Sequence, residues 1–374
     1  LSRSVLVITR NLPPLVGGME RLGWHIVKAF SESFHVHVIG PEGCGKYLPR
    51  KVTCTEVPLR PLGIFLGKTA LNALRQAVGF KPEITFAGSG LTAPMALVAA
   101  RLSRSRSYAY VHGLDLVVPR AVYRWLWLPC LRLLDGIIVN SRATFAIAER
   151  AGIASERIRV VHPGVTMLEL EARAASWFRS AYGVGDRPML LSVGRLTRRK
   201  GLMHFVARVL PTIVRKKPTA CLYIVGDVPR GALMAEAEEP EEILRAAHFA
   251  GVSKNVCWLG HLPDEALQKA YAASDVHVFP VQDLPNDPEG FGMVALEAAA
   301  FGTPTVAYAV GGVVDAVADG VSGFLVAPGD TEALAEAVLS LMDKPMPREN
   351  VRRFAESFAW PRFNKAIVRA VGAD

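Results

Sequence analysis

Cysteine is sparse and unpatterned in this chain. The five present, Cys44, Cys54, Cys130, Cys221 and Cys257, are odd in number, form no C-x-x-C pair and lie mostly among apolar neighbours. That argues against a disulfide framework and predicts no zinc site, as in a reduced cytosolic chain. No D-x-D occurs anywhere, so nothing signals a divalent metal clamped on a diphosphate. A G-x-x-x-x-G-K-[ST] phosphate loop is also missing, as is the basic-aromatic interleaving of an RNA-binding sheet. The longest uncharged apolar run, Ile84–Ala100, holds two glycines and a proline. It falls short of the roughly 20 residues that a bilayer span needs. The N-terminus leads straight into a strand pattern, which predicts no signal peptide. No repeat or low-complexity run stands out.

Acidic residues are scarce in the first half. Residues 1–165 carry 21 Lys and Arg against 9 Asp and Glu, whereas residues 166–374 carry 22 against 25. A basic half points to an anionic partner such as phosphate, nucleic acid or an anionic membrane surface.

What is present is a long alternation. The chain has 374 residues, 51% of them hydrophobic, enough for two domains with sizeable cores. Strands are predicted at Val5–Thr9, His35–Ile39, Cys54–Pro58, Glu83–Ala87, Tyr108–His112, Gly136–Asn140 and Ile158–His162. A second series is predicted at Met189–Val193, Cys221–Val225, Val256–Leu259, Val276–Phe279, Thr305–Tyr308 and Gly323–Val326. Many are unbroken apolar runs, the signature of parallel strands buried on both faces. Helical patterns such as Gly23–Phe30, Arg142–Arg150, Glu241–Ala250 and Thr331–Met342 lie between them. The expected fold class is therefore α/β, two Rossmann-like domains with parallel sheets. A plausible hinge is "VVHPGVTMLELEA", Val160–Ala172. Domains are expected at residues 1–165 and 166–357, with a final helix over 358–374. Ligands bind such sheets at the strands' carboxyl ends, so the two domains are expected to share a cleft lined by the loops that follow strands.

Several such loops carry chemistry. After the first strand, Gly17-Gly18 precedes a helix, so backbone N–H groups can approach an anion. The same pair also fits an ordinary flexible turn. His112 ends a strand and could bond a sugar hydroxyl or a phosphate, with Asp115 near enough in sequence to orient it. A structural histidine is the competing reading. "VGRLTRRKG" puts Arg195, Arg198, Arg199 and Lys200 after the strand Met189–Val193. Arg as a fork and Lys as a point charge suit a diphosphate. Arg195 and Lys200 are the expected binders, with Arg198 and Arg199 facing solvent. In "EGFGMVALEAAAFGTPTVA", Glu289-Gly290-Phe291-Gly292 opens a helix and Glu297 lies inside it. A carboxylate in so apolar a helix needs donors. Ribose hydroxyls would supply them, as would a buried arginine. Gly311-Gly312 forms a further strand-end loop, and "WLGHLPDEAL" could wall a nucleobase.

In combination, GG-x-ER near the N-terminus, His112, "VGRLTRRKG" and the E-x7-E pair Glu289/Glu297 resemble the retaining GT-B glycosyltransferases of family four. The likeness covers nearly the whole chain and is most specific in the C-terminal half. It implies that Arg195 and Lys200 bind the donor diphosphate and stabilise the leaving group. It further implies that Glu289, with the backbone of Phe291, Gly292 and Met293, holds the donor sugar and phosphate, and that Glu297 holds the ribose. The Gly17-Gly18 loop would close on phosphate or acceptor, His112 would contact the transferring sugar, and the backbone near Leu262 would meet the base. The tail Phe358–Val371 resembles the family's last helix, which crosses back to the N-terminal domain. Two departures are "HPGVT" where the family often has "PNGVD", and a longer loop "VQDLPNDP" before Glu289.

The implied reaction moves a hexose from a UDP- or GDP-sugar to a glycan or lipid-linked acceptor with retention, without metal or other cofactor, in cell-surface polysaccharide, lipopolysaccharide or glycolipid synthesis. No carboxylate nucleophile below the sugar ring is evident, so same-face attack is expected. The cations near Trp125 and Trp127 in "PRAVYRWLWLPCLRLL" suit an anionic membrane edge, and a packed helix with exposed arginines is the alternative. The expected location is the cytoplasm, peripheral on the inner face of the membrane. No nucleic-acid partner is expected. A GT-B-fold sugar-nucleotide epimerase and a non-enzymatic nucleotide- or nucleic-acid-binding protein are the competing functions.

Overall fold

A computed structural model describes residues 3–169, 173–228 and 236–372. Contacts divide the chain into two units. One runs to Gly164 and takes back the stretch from Trp360 onward, and the other is Val165–Ala359. The last three residues of the expected hinge, 170–172, lie outside the described residues.

The first unit holds a seven-stranded sheet: β1 (Ser4–Ile8), β2 (His35–Pro41), β3 (Thr53–Val57), β4 (Ile84–Ala87), β5 (Arg106–Val111), β6 (Gly136–Val139) and β7 (Ile158–Val160). The order is β3-β2-β1-β4-β5-β6-β7, and every pairing is parallel. The second unit holds β8 (Met189–Val193), β9 (Cys221–Val225), β10 (Val256–Gly260), β11 (Val276–Phe279), β12 (Thr305–Tyr308) and β13 (Gly323–Val326). Its order, β10-β9-β8-β11-β12-β13, repeats the first pattern, again all parallel. Central strands such as β4, β8 and β11 are buried along their whole length. Burial on both faces leaves each of them a single polar residue, Thr85, Ser192 and His277 respectively.

In both sheets the winding reverses once, between β1 and β4 and between β8 and β11. A crevice opens at the carboxyl end of such a pair because the crossover helices leave in opposite directions. Each unit has its own core around its sheet. Phe358 stays in the second unit, its ring 6.1 Å from that of Phe291. Two residues on, Trp360 stacks on His25 of the first unit, with ring centroids 3.5 Å apart and planes 6° from parallel. It opens the last helix, Trp360–Ala370, which packs along the helix Gly18–Ser33. Among the described residues no helix is long and apolar enough to cross a membrane.

Candidate functional site

In the second unit, the β8 and β11 loops bring the predicted cations and the first carboxylate together. After β8 the chain turns through Gly194 into a single 3-10 turn, Arg198–Lys200. Three residues per turn send three successive side chains in three directions. Arg198 points out and is 64% exposed, whereas Arg199 and Lys200 are only 12% and 13% exposed. The expectation for Arg199 is therefore corrected. Its Nη1 donates to the Pro288 carbonyl at 2.7 Å and lies 3.5 Å from Asp287. Its Nε stands 3.6 Å from Glu289, an ionic rather than hydrogen-bonding separation. Gly201 ends the turn at φ 70°, where a Cβ would run into the Pro280 carbonyl. A side chain there would push this turn away from the end of β11.

Lys200 Nζ donates to Glu289 Oε2 at 2.7 Å and sits 4.6 Å from the centre of the Phe279 ring. Lys200, Phe279 and Arg195 line a small recess with Ser192, Gly194 and Leu202. Arg195 itself is exposed. Burial pushes the Glu289 carboxyl up, but Arg199, Lys200 and Arg195 outweigh it and hold it at about 2. Burial also works against the Lys200 ammonium, and Glu289 returns only part of that, so its pKa is lowered. The site is thus net cationic, with three basic groups against the buried Glu289 and the half-buried Asp287.

Glu289 is fixed from behind. The Gly312 N–H donates to the Glu289 carbonyl at 2.8 Å. A Cβ on Gly312 would meet the Gly290 carbonyl and stand 2.7 Å from Phe291 Cα. The Gly311-Gly312 loop is therefore a brace for the Glu289–Phe291 backbone. Phe291 is buried, and Gly292, left-handed at φ 96°, opens the helix Met293–Ala300 without a side-chain cap. An uncapped helix N-terminus presents N–H groups and partial positive charge. Glu297 lies on that helix, partly buried, and its Oε2 accepts from Tyr271 Oη at 3.1 Å. Tyr271 is 1% exposed and held by ring stacking on Phe301. Leu262, just past β10, has its side chain buried in the same apolar cluster as Tyr271.

The first unit places its predicted residues at its own strand ends. Gly17 and Gly18 open the helix Gly18–Ser33, again without a side-chain cap. His112 follows β5, and its Nε2 lies 3.3 Å from the Gly88 carbonyl beyond β4. Asp115 accepts from the His112 backbone N–H at 3.0 Å rather than from the ring. The Asp115 carboxylate thus fixes the turn.

Residues missed at the sequence level are Arg199, Tyr271 and Phe279. Arg199 was adjacent to a chosen cation, but sequence does not say which side of a one-turn helix faces in. Tyr271 lies 26 residues from Glu297, and only the sheet order brings them together.

This pairing of two Rossmann-like units with a cationic strand-end loop and an E-x7-E helix is the architecture of a GT-B glycosyltransferase. Residues 177–358 match the family described as Glycosyl transferases group 1, and residues 16–167 match Glycosyltransferase Family 4. The chain is 29% identical over 363 residues to the GDP-mannose-dependent alpha-(1-6)-phosphatidylinositol monomannoside mannosyltransferase of Mycolicibacterium smegmatis, covering 91% of this chain and 90% of that one. It is 33% identical over 223 residues to the D-inositol 3-phosphate glycosyltransferase of Frankia alni, covering 58% and 53%. In fold it is similar to HepE of Anabaena in complex with UDP, with TM-score 0.82, 21% identity and 99% and 100% of the two chains covered. The protein belongs to the family-four glycosyltransferases and is a hexosyltransferase with the GT-B fold.

Proposed function

We propose that this enzyme transfers a hexose, with retention, from a GDP- or UDP-sugar to a lipid-linked or glycan acceptor in cell-surface glycan or glycolipid synthesis, without a catalytic metal. The observation that carries this reading is the cluster of Arg195, Arg199 and Lys200 around Glu289 at the ends of β8 and β11. Charge develops on the departing diphosphate as the glycosidic bond breaks. Preorganised cations in a site with little water stabilise that charge without reorganising. Lys200 and Arg195 are assigned to the diphosphate. Glu289 pairs with Lys200 at 2.7 Å, and a donor phosphate would compete for that partner. Glu289 then turns to the sugar hydroxyls, beside the backbone of Phe291, Gly292 and Met293. Glu297, oriented by Tyr271, is assigned to the ribose, and the Leu262 backbone to the base. His112 and the Gly17-Gly18 loop are assigned to the transferring sugar and the acceptor. Both carboxylates have binding roles, so the acceptor attacks on the face that the diphosphate leaves, and the diphosphate takes its proton.

The similarity to a phosphatidylinositol mannoside mannosyltransferase favours a lipid acceptor. A surface of the first unit favours it independently. The segments 62–79, 93–104 and 119–134 contain seven Lys or Arg and no Asp or Glu. They also expose large apolar side chains, among them Trp125 at 80%, Val122 at 65% and Val78 at 60%. Cations for lipid phosphates beside aromatics for the headgroup layer are what an anionic bilayer surface selects.

The test is a thermal-shift panel of GDP-mannose, UDP-glucose and the free diphosphates, since a ligand of the native state raises its melting point. Wild type is expected to respond to one base and Lys200→Ala to lose the response. No shift with any sugar nucleotide would overturn the donor assignment. Conversion of a sugar nucleotide with no acceptor present would indicate an epimerase instead.

A further inference from the structure

At the edge of the first unit's sheet, Cys44, Cys54 and Glu56 converge, their ligand atoms all within 4.8 Å of one another. Cys54 and Glu56 are two residues apart on the edge strand β3 and so share a face. Cys44 arrives from the turn after β2, between two glycines that hold the carboxylate. The Gly43 N–H donates to Glu56 Oε2 at 2.8 Å, and the Gly45 N–H donates to Oε1 at 2.9 Å. One three-residue turn therefore aims a sulfur and pins a carboxylate at the same point. Gly43 needs its left-handed φ of 82° for this. A Cβ on Gly45 would stand 3.0 Å from Cys54 Sγ and 3.1 Å from Glu56 Oε1, filling the space between them. Cys44 is wholly buried, Cys54 half-buried and Glu56 exposed. The cluster is a pocket with one open side.

We propose that Cys44, Cys54 and Glu56 bind a soft divalent cation of the zinc class, with water in the remaining position. Two thiolates and a carboxylate suit zinc chemically. Zinc–sulfur bonds of about 2.3 Å in tetrahedral geometry put two sulfurs roughly 3.8 Å apart, which is compatible with ligand atoms that all lie within 4.8 Å of one another. The two amide N–H groups supply the outer contacts that orient a ligating carboxylate. As the two metal–sulfur bonds form, two thiol protons leave to solvent and no electrons move. The ion would tie the turn to β3 under the loop that follows β1. A Cβ on Gly40 would lie 2.8 Å from Cys44 Sγ and 3.2 Å from Leu12 Cδ1 of that loop, and Trp24 Nε1 donates to the Tyr47 carbonyl at 2.8 Å. No zinc site was expected from the sequence because ligands at positions 44, 54 and 56 match no spacing motif. Their convergence depends on the pairing of β2 with β3.

The experiment titrates the reduced, metal-free protein with Co2+ and then Zn2+, following the near-ultraviolet sulfur-to-cobalt absorption. One equivalent of Co2+ is expected to produce the band and Zn2+ to displace it. Cys54→Ser should abolish the band, and Glu56→Gln should keep it with affinity weakened roughly tenfold or more. Cys257→Ser is the control, because Cys257 lies on β10 of the second unit, outside the cluster, with Cys221 on the neighbouring strand β9 as the other thiol there. That variant should behave as wild type. The proposal is overturned by the absence of a thiolate band at roughly a hundredfold excess of Co2+, or by an unchanged band in Cys54→Ser. If Cys54→Ser folds poorly, the exposed Glu56→Gln variant decides, and an unchanged affinity there overturns the three-ligand site.

Discussion

Lys200 and Glu289 are the two residues on which the proposed donor site turns, and their 2.7 Å ion pair has consequences away from catalysis. Lys200→Ala removes one preorganised cation from the leaving group. A loss of about 100-fold in kcat/KM is expected, the usual scale for deleting one such donor, with the fold retained because Arg199 still faces Glu289. Steady-state kinetics beside a melting curve checks this, and near-normal turnover would remove the assignment. Glu289 titrates at about 2 against an ordinary 4.5. A carboxylate with a depressed pKa contributes stability above its unfolded value, and the contribution is lost as pH falls toward the folded one. Wild type should therefore weaken between about pH 4.5 and 2 more steeply than Glu289→Gln. The loss is expected to be smaller than the roughly 3 kcal/mol that the Glu289 shift alone implies, because burial lowers Lys200 at the same time. Denaturation melts across that pH range measure the difference. Tyr271→Phe deletes one oxygen that touches Glu297 at 3.1 Å. If Glu297 holds the ribose as proposed, the substitution should raise the KM for the donor several-fold and leave kcat nearly unchanged, since such a contact serves ground and transition states alike.

At the level of elements, positions in the site are set by backbone packing. Gly312→Ala inserts a methyl where the Gly290 carbonyl and Phe291 Cα already stand. The Glu289–Phe291 segment must then shift, although residue 312 need not touch the donor. Donor affinity is expected to fall at least about tenfold, with some loss of stability from overpacking. Isothermal titration with the free diphosphate reads the first effect, and unchanged affinity would show that the brace is dispensable. The elements themselves were largely legible in the sequence. Among the described residues all thirteen strands overlap predicted ones, and the interior strands were clearest, because burial on both faces leaves little room for polar residues; the edge strand β3 is more polar and partly exposed. The boundaries moved where a strand starts polar, as at Arg106-Ser107 before the apolar part of β5. The helix Leu62–Gly79 was not legible. It contains Gly63, Gly67 and Gly79 and exposes Ile64, Leu71, Leu74 and Val78, so its apolar residues do not form one inward stripe. Arg199 and the Cys44 turn were hidden for a related reason. Their partners are brought near by a turn or a sheet pairing, and neither leaves a periodic trace.

For the molecule as a whole, the uneven charge has a definite location. The excess of Lys and Arg in residues 1–165 includes three acid-free segments carrying exposed aliphatics and Trp125. Exposed apolar side chains among cations are unfavourable in water, and a bilayer with anionic headgroups relieves the apolar and the electrostatic cost at once. The two contributions separate experimentally. In flotation with phosphatidylglycerol vesicles, binding is expected at low salt and should weaken as ionic strength rises, because each basic residue near the surface adds about 1 kcal/mol that salt screens. Neutral phosphatidylcholine vesicles should bind far less. Trp125→Ser with Leu126→Ser should reduce binding at every salt concentration, since it removes the insertion component. Arg120→Gln with Arg124→Gln should flatten the salt dependence instead. Both pairs lie outside the donor site, so turnover of a water-soluble acceptor should stay unchanged in them. Equal binding to neutral and anionic vesicles, or none at low salt, would mean that this face serves something other than a lipid surface.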